Sequence, residues 1–259
     1  MSLFKLKYIF AQSLSNVIFR NMTNGHRILM YHSIYDQKKD LFFFDDLHTI
    51  KILQFQKQVD YLKNYNVVSL NNENIIKKNS FSITFDDGYL DNYINAYPYL
   101  QQKKLPWTLY IVSDFLNSKN KEFVNKNHLI EMAKNKLITI GSHGKTHRRL
   151  TTLSINEIKK ELEYSKKSIE DIIGKEVKTF SYPHGDANLD LLNHVKEAGY
   201  SNAVCSYPYI NDVNINTFLL NRQSIIINDN INYFRNKING KFDWTRIKFK
   251  DPKKYNEIN

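Results

Sequence analysis

The chain has 259 residues, enough to bury one substantial core, and α/β barrels of this length commonly form a single domain. With 42% hydrophobic and 14% aromatic residues, it carries the apolar material of a packed interior, which excludes global disorder. A formal charge of +11 favours anionic partners, but the basic residues are scattered and form no zinc finger, RNA-binding motif or basic zipper, so nucleic acid is not expected.

In chain order, residues 1–26 come first. Leu3, Leu6, Phe10, Leu14 and Val17 recur at three- and four-residue steps, which predicts an amphipathic helix. Gln12, Ser13, Ser15 and Asn16 interrupt the apolar run that a signal peptide needs, and the run is too short to span a bilayer. The helix is expected to pack on the domain. An anionic membrane surface is the alternative partner, because Lys5, Lys7 and Arg20 accompany the stripe. The expected location is the cytoplasm, peripheral at the inner face of the membrane if this helix meets lipid.

A domain is then expected over residues 27–240, with 241–259 as an extension whose role the sequence does not reveal. Arg27–His32 reads as a first strand, and Phe55, Val59 and Leu62 mark an amphipathic helix before a strand at Asn66–Leu70. Phe81–Phe85 is the next strand, followed by a helix over Leu90–Lys104 that Pro98 bends or interrupts. Trp107–Val112 and Leu137–Ile140 are strands flanking a helix at Asn127–Asn135. Ser154 with Glu157 three residues on predicts a capped helix along Ile155, Ile158, Leu162, Ile169 and Ile172, stopped by Gly174. Val177–Tyr182, a helix at Leu189–Ala198, and strands at Asn202–Ser206 and around Ser224–Ile227 complete the pattern. The lone Cys205 excludes an intramolecular disulfide and reads as a buried, inert thiol. Alternation of β and α elements with short connections implies a parallel sheet, with the site at the C-terminal ends of its strands.

Three such ends carry ionisable or turn-forming residues. Thr84-Phe85-Asp86-Asp87-Gly88 offers two adjacent carboxylates, although Asp-Asp-Gly alone is also an ordinary turn. Ser142-His143-Gly144-Lys145-Thr146-His147 places two histidines four apart, a spacing that grips one cation from a helical turn or a tight loop. With Asp87 they make a two-histidine, one-carboxylate set that leaves positions open for water and substrate. Phe180-Ser181-Tyr182-Pro183-His184-Gly185 ends a strand in a turn that could offer a backbone N–H to an oxyanion.

In order and spacing these segments, with Leu29-Met-Tyr-His-Ser-Ile34 ahead of them, resemble the NodB-homology polysaccharide deacetylases, carbohydrate esterase family 4. The resemblance covers roughly residues 27–227. It implies a distorted (β/α) barrel of about seven parallel strands and hydrolysis of a sugar N-acetyl group. It further implies Asp87, His143 and His147 as ligands of a divalent metal ion, zinc being the usual choice, and Asp86 as general base. The His184 backbone N–H would help hold the oxyanion, and Tyr182, Pro183 and Arg222 would line the substrate site. His32 is expected to be the general acid, because the late stretch Leu219-Leu220-Asn221-Arg222 lacks the histidine that many relatives place there.

Several positions depart from the family pattern. Gly144 replaces a usual Ser or Thr, His184 replaces a common tyrosine, and Trp107 stands where relatives often have a small residue. The third motif lacks an arginine, and Arg222 is expected either to orient Asp86 instead or to be an ordinary surface or structural residue. The expected substrate is an N-acetylated carbohydrate, such as a lipid- or nucleotide-linked precursor of a surface glycan. The alternatives are a small linear or cyclic amide at the same site, or a glycan-binding protein without catalysis.

Overall fold

The computed structural model describes residues 25–36, 47–70, 79–117 and 121–248; the expected N-terminal helix lies outside the described residues. Among the described residues, ten strands follow in chain order: β1 (His26–Tyr31), β2 (Ile34–Tyr35), β3 (Ile50–Lys51), β4 (Asn66–Val67), β5 (Ser80–Phe85), β6 (Trp107–Ile111), β7 (Ile138–Ser142), β8 (Thr179–Ser181), β9 (Asn202–Val204) and β10 (Arg222–Ser224). Seven of them form one sheet in the order β10-β1-β5-β6-β7-β8-β9, with every neighbouring pair parallel. The two edges come together just before β10, where the Cys205 N–H donates to Leu220 O and the Leu220 N–H to Ala203 O, both at 2.9 Å. The result is a nearly closed barrel of seven parallel strands, the architecture the resemblance implied. β4 adds to the start of β5, and β2 with β3 makes a separate small sheet.

Strand side chains alternate between two faces, and here both faces are buried. Leu29, Tyr31, Ile83, Phe85, Leu109 and Ile140 pack outward in the main hydrophobic core, while Ile28, Tyr110, Val204 and Leu220 form a second, smaller cluster with Leu70. Burial on both faces explains why β5 and the Ile28–Tyr31 part of β1 are near-continuous apolar or small-polar runs rather than alternating ones.

The helices are α1 (Ile52–Leu62), α2 (Tyr97–Lys103), α3 (Lys126–Lys134), α4 (Ile155–Ile173), α5 (Leu189–Glu197) and α6 (Ile231–Ile238). In α4 the Ser154–Glu157 capping box is present and Gly174 closes the helix at φ 66. The inward stripe is Ile158, Glu161, Leu162, Ser165 and Ile169, so a carboxylate sits on the face that periodicity marks as apolar.

Two expectations change. The helix expected over Leu90–Lys104 is a π-helical stretch, Asn92–Ala96, followed by α2, because Pro98 has no N–H to donate and takes the first turn of a new helix. The π turn turns Asn92 and Asn95 inward, where their amides donate to His32 O at 2.6 Å and Ile34 O at 2.8 Å. The strand expected over Asn66–Leu70 pairs only at Asn66–Val67. No helix among the described residues is long and apolar enough to cross a membrane.

Candidate functional site

Each of the three motifs lies where its strand leaves the barrel. Asp86 and Asp87 follow β5, His143 follows β7, and Tyr182–Gly185 follow β8. His32 follows β1 on the same rim.

Asp87, His143 and His147 each offer one ligand atom, and the three atoms lie within 4.8 Å of one another. Asp87 Oδ1 is 3.5 Å from His143 Nε2 and 3.3 Å from His147 Nε2. Donors bonded at about 2.0–2.1 Å to a tetrahedral cation sit about 3.3–3.5 Å apart, so this set fits a transition-metal ion. The His143 ring is fixed from behind by a 2.7 Å hydrogen bond between Nδ1 and Ser181 O, which aims Nε2 at Asp87. Burial pushes the His143 imidazole down to about 3; it also lowers His147, where neighbouring His184 acts in the same direction. Both rings are therefore neutral at pH 7, the form that ligates a metal.

The segment His143–His147 is a tight loop rather than a helical turn. Among the described residues, five non-glycine residues have positive φ, and three of them are here: Asp87 at 70°, His147 at 63° and His184 at 60°. Such backbone is costly for residues with a Cβ and is held only by surrounding contacts. Gly185 shows how tightly the third turn is packed: a Cβ there would meet Ser206 Oγ at 2.0 Å.

Asp86 turns the other way, into the barrel. Burial alone would raise its carboxyl, but the Arg222 guanidinium outweighs this and, with His143 and His32, holds it well below the usual carboxylate range. Arg222 is completely buried and meets Asp86 through both oxygens, Nη1 to Oδ1 and Nη2 to Oδ2 at 2.7 Å each. Its other donors reach Cys205 O at 3.0 Å, Thr84 Oγ1 at 3.3 Å and Ser181 Oγ at 2.9 Å.

This overturns the expectation that Arg222 lines the substrate site or lies on the surface: all its donors face the interior, and two of them hold the Asp86 carboxylate. Tyr182 is likewise in the core, with 0% exposure and its hydroxyl donating to Phe218 O at 3.1 Å. Pro183 is buried, its ring 3.4 Å from where a Cβ on Gly144 would stand. Neither presents its side chain to a substrate. The exposed side chain of that turn is His184, whose Nε2 is 3.2 Å from His147 O and whose ring lies 4.6 Å from the His147 ring. His32 is half-buried with its ring 4.6 Å from that of His48.

Sequence reasoning missed two contributors. Ser181 gives its carbonyl to His143 and its hydroxyl to Asp86 Oδ2 at 3.3 Å; its signal was its place inside the third motif. Glu161 binds the His143–His147 loop; its signal was a carboxylate on the inner stripe of α4.

The chain matches the family model described as polysaccharide deacetylase over residues 74–203. It is 31% identical over 173 residues to the poly-beta-1,6-N-acetyl-D-glucosamine N-deacetylase of Staphylococcus aureus (strain N315), covering 59% of each chain. It is 32% identical over 126 residues to YxkH of Bacillus subtilis (strain 168), covering 49% of this chain and 44% of that one. The chain thus spans about half the length of the curated relatives it matches. Among solved structures, BC0361, a polysaccharide deacetylase from Bacillus cereus, superposes with a TM-score of 0.72 at 25% identity, covering 83% of this chain and 69% of that one. The Streptococcus pyogenes deacetylase PplD gives a TM-score of 0.73 at 22% identity, covering 83% and 98%.

Proposed function

The chain belongs to the polysaccharide deacetylase family, and from that membership we propose that it hydrolyses the N-acetyl group of an N-acetylated carbohydrate. The observation that carries this reading is the convergence of Asp87, His143 and His147 on one point with Asp86 beside them. A divalent cation held by the first three, zinc being the one this donor set suits, would supply Lewis-acid polarisation of the amide and a stronger water nucleophile at neutral pH.

The remaining chemistry belongs to the side chains. Asp86, kept ionised and locked in orientation by Arg222, accepts the proton of the attacking water as general base. The His184 backbone N–H, presented by the turn after β8, donates to the oxygen that gains charge as the carbonyl is attacked. His32, on the adjacent rim position, delivers a proton to the departing amine.

The substrate class we propose is an amino-sugar glycan, supported by the poly-beta-1,6-N-acetyl-D-glucosamine named for the S. aureus relative. The narrower expectation of a lipid- or nucleotide-linked precursor at a membrane rests on net charge and on residues 1–26.

Acetate release from N-acetylglucosamine oligomers, measured with metal content, tests the reading. Wild type is expected to hold about one divalent ion per chain and to release acetate. Asp87→Ala is expected to lose both, and Asp86→Asn to keep the metal while turnover falls about 10²–10⁴-fold. A wild-type protein that binds no metal and releases no acetate overturns the reading in favour of a glycan-binding protein.

A further inference from the structure

Between the two histidines run Gly144, Lys145 and Thr146, and one buried carboxylate gathers this loop. Glu161 on α4 is 4% exposed. Its Oε2 accepts the N–H of Lys145 at 2.8 Å and that of Thr146 at 2.9 Å, and its Oε1 accepts the Thr146 hydroxyl. Two consecutive amides point at one oxygen because the backbone enters the loop at Gly144 with φ 80 and leaves it at His147 with φ 63. A Cβ on residue 144 would stand 3.2 Å from Glu161 Oε2, so glycine is what lets the carboxylate come this close.

The opposite edge of the loop is held by neutral backbone groups, Ser113 N–H to Gly144 O at 3.1 Å and Asp114 N–H to Lys145 O at 3.0 Å. The two histidines therefore depend on different anchors. His143 is fixed by β7, by its own N–H donated to Ile111 O at 2.7 Å, and by Ser181 O. His147 lies beyond the loop, directly after the two residues that Glu161 grips.

We propose that Glu161 is a positioning residue of the metal centre: it sets the place of His147 relative to Asp87 and His143, and through that the affinity of the site for a divalent cation. The proposal rests on the metal-site reading above. A charged acceptor makes stronger bonds to backbone amides than a neutral one, and removing such an outer partner typically weakens metal binding about 10–100-fold.

The test is a titration of the metal-free full chain with Co²⁺, read from its visible absorption, for wild type and Glu161→Gln. The glutamine keeps the size but loses the charge. Folding of each variant is checked by near-UV circular dichroism. The expected result is binding weakened about 10–100-fold with an altered ligand-field spectrum, and acetate release restored when Co²⁺ is raised to saturation. That restoration separates positioning from a role in the reaction itself.

If Glu161→Gln does not fold, Thr146→Val removes one of the three donors from outside the core and is expected to weaken Co²⁺ binding in the same direction. A folded Glu161→Gln, or failing that a Thr146→Val, with wild-type Co²⁺ affinity and spectrum overturns the proposal and leaves the metal-site reading intact. A wild type that binds no Co²⁺ overturns that reading instead.

Discussion

In the proposed reaction Arg222 acts through Asp86 rather than on the substrate. Its five N–H donors meet Asp86 twice, Thr84, Ser181 and a backbone carbonyl, all in the barrel interior. A fork of this shape cannot be rebuilt from an ammonium, so Arg222→Lys is not a conservative change. Arg222→Met leaves the Asp86 carboxylate buried without its partner, and unfolding in urea is expected to show a loss of about 3–5 kcal/mol. The same variant shifts the pH profile in a definite direction. Arg222 lowers the Asp86 pKa, and the base role proposed for Asp86 requires its ionised form. Without the guanidinium, the acid limb of kcat/KM therefore moves to higher pH; an unmoved limb would show that Asp86 is not the base. His32 is tested separately: His32→Ala is expected to keep the metal and lose turnover about 10²–10⁴-fold, as removal of a general acid does. Near-normal acetate release would return His32 to a structural role.

At the scale of single elements, the barrel is filled by complementary residues on neighbouring strands. Gly141 on β7 has no side chain because the Tyr110 ring of β6 occupies its space; a Cβ there would meet Tyr110 at 2.5 Å and Thr179 at 2.8 Å. The Tyr110 ring lies under the Arg222 guanidinium, 5.7 Å away, and its hydroxyl pairs with Thr179 at 2.8 Å. Gly141→Ala is accordingly expected to destabilise by about 1–3 kcal/mol through overpacking. Trimming the ring in Gly141→Ala/Tyr110→Leu should recover part of that loss in urea unfolding, and no recovery would mean the strain lies at Thr179. These elements also show what was legible in the sequence. β1, β5, β6, β7 and α4 follow from apolar runs, a capping box and a stop glycine, all local signals. Asp87, His143 and His147 were legible as candidate ligands because each lies within a short motif that follows a strand. Arg222 and Glu161 were harder to assign, since their partners lie 136 and 15–16 positions away and no periodicity encodes such a pairing. α6 went unpredicted because Phe234 and Ile238 are its buried anchors in an otherwise Asn- and Lys-rich stretch.

At the scale of the whole molecule, β1, the first strand of the barrel, pairs β5 on one side and β10, the last strand, on the other. At its first residues, opposite the rim that carries the candidate site, Arg27 reaches Asp243 through two 2.8 Å bonds, and Asp243 is fully buried. Residue 243 belongs to the stretch that the sequence set apart as an extension of unknown role, and here it is part of the base of the barrel. In barrels of this type the base serves stability while the rim carries chemistry, and the two should separate experimentally. Asp243→Ala strands the Arg27 charge in the interior and is expected to cost about 3–5 kcal/mol, whereas Arg27→Met/Asp243→Leu removes both charges and should lie near wild type. The folded fraction of either variant is expected to bind Co²⁺ with unchanged affinity, because the pair lies at the opposite end of β1 from the proposed metal site. Asp243→Ala within about 0.5 kcal/mol of wild type, the range of an ordinary surface change, would show that the segment only rests on the barrel. A loss of Co²⁺ affinity in the folded double variant would show instead that the base and the rim are coupled through β1.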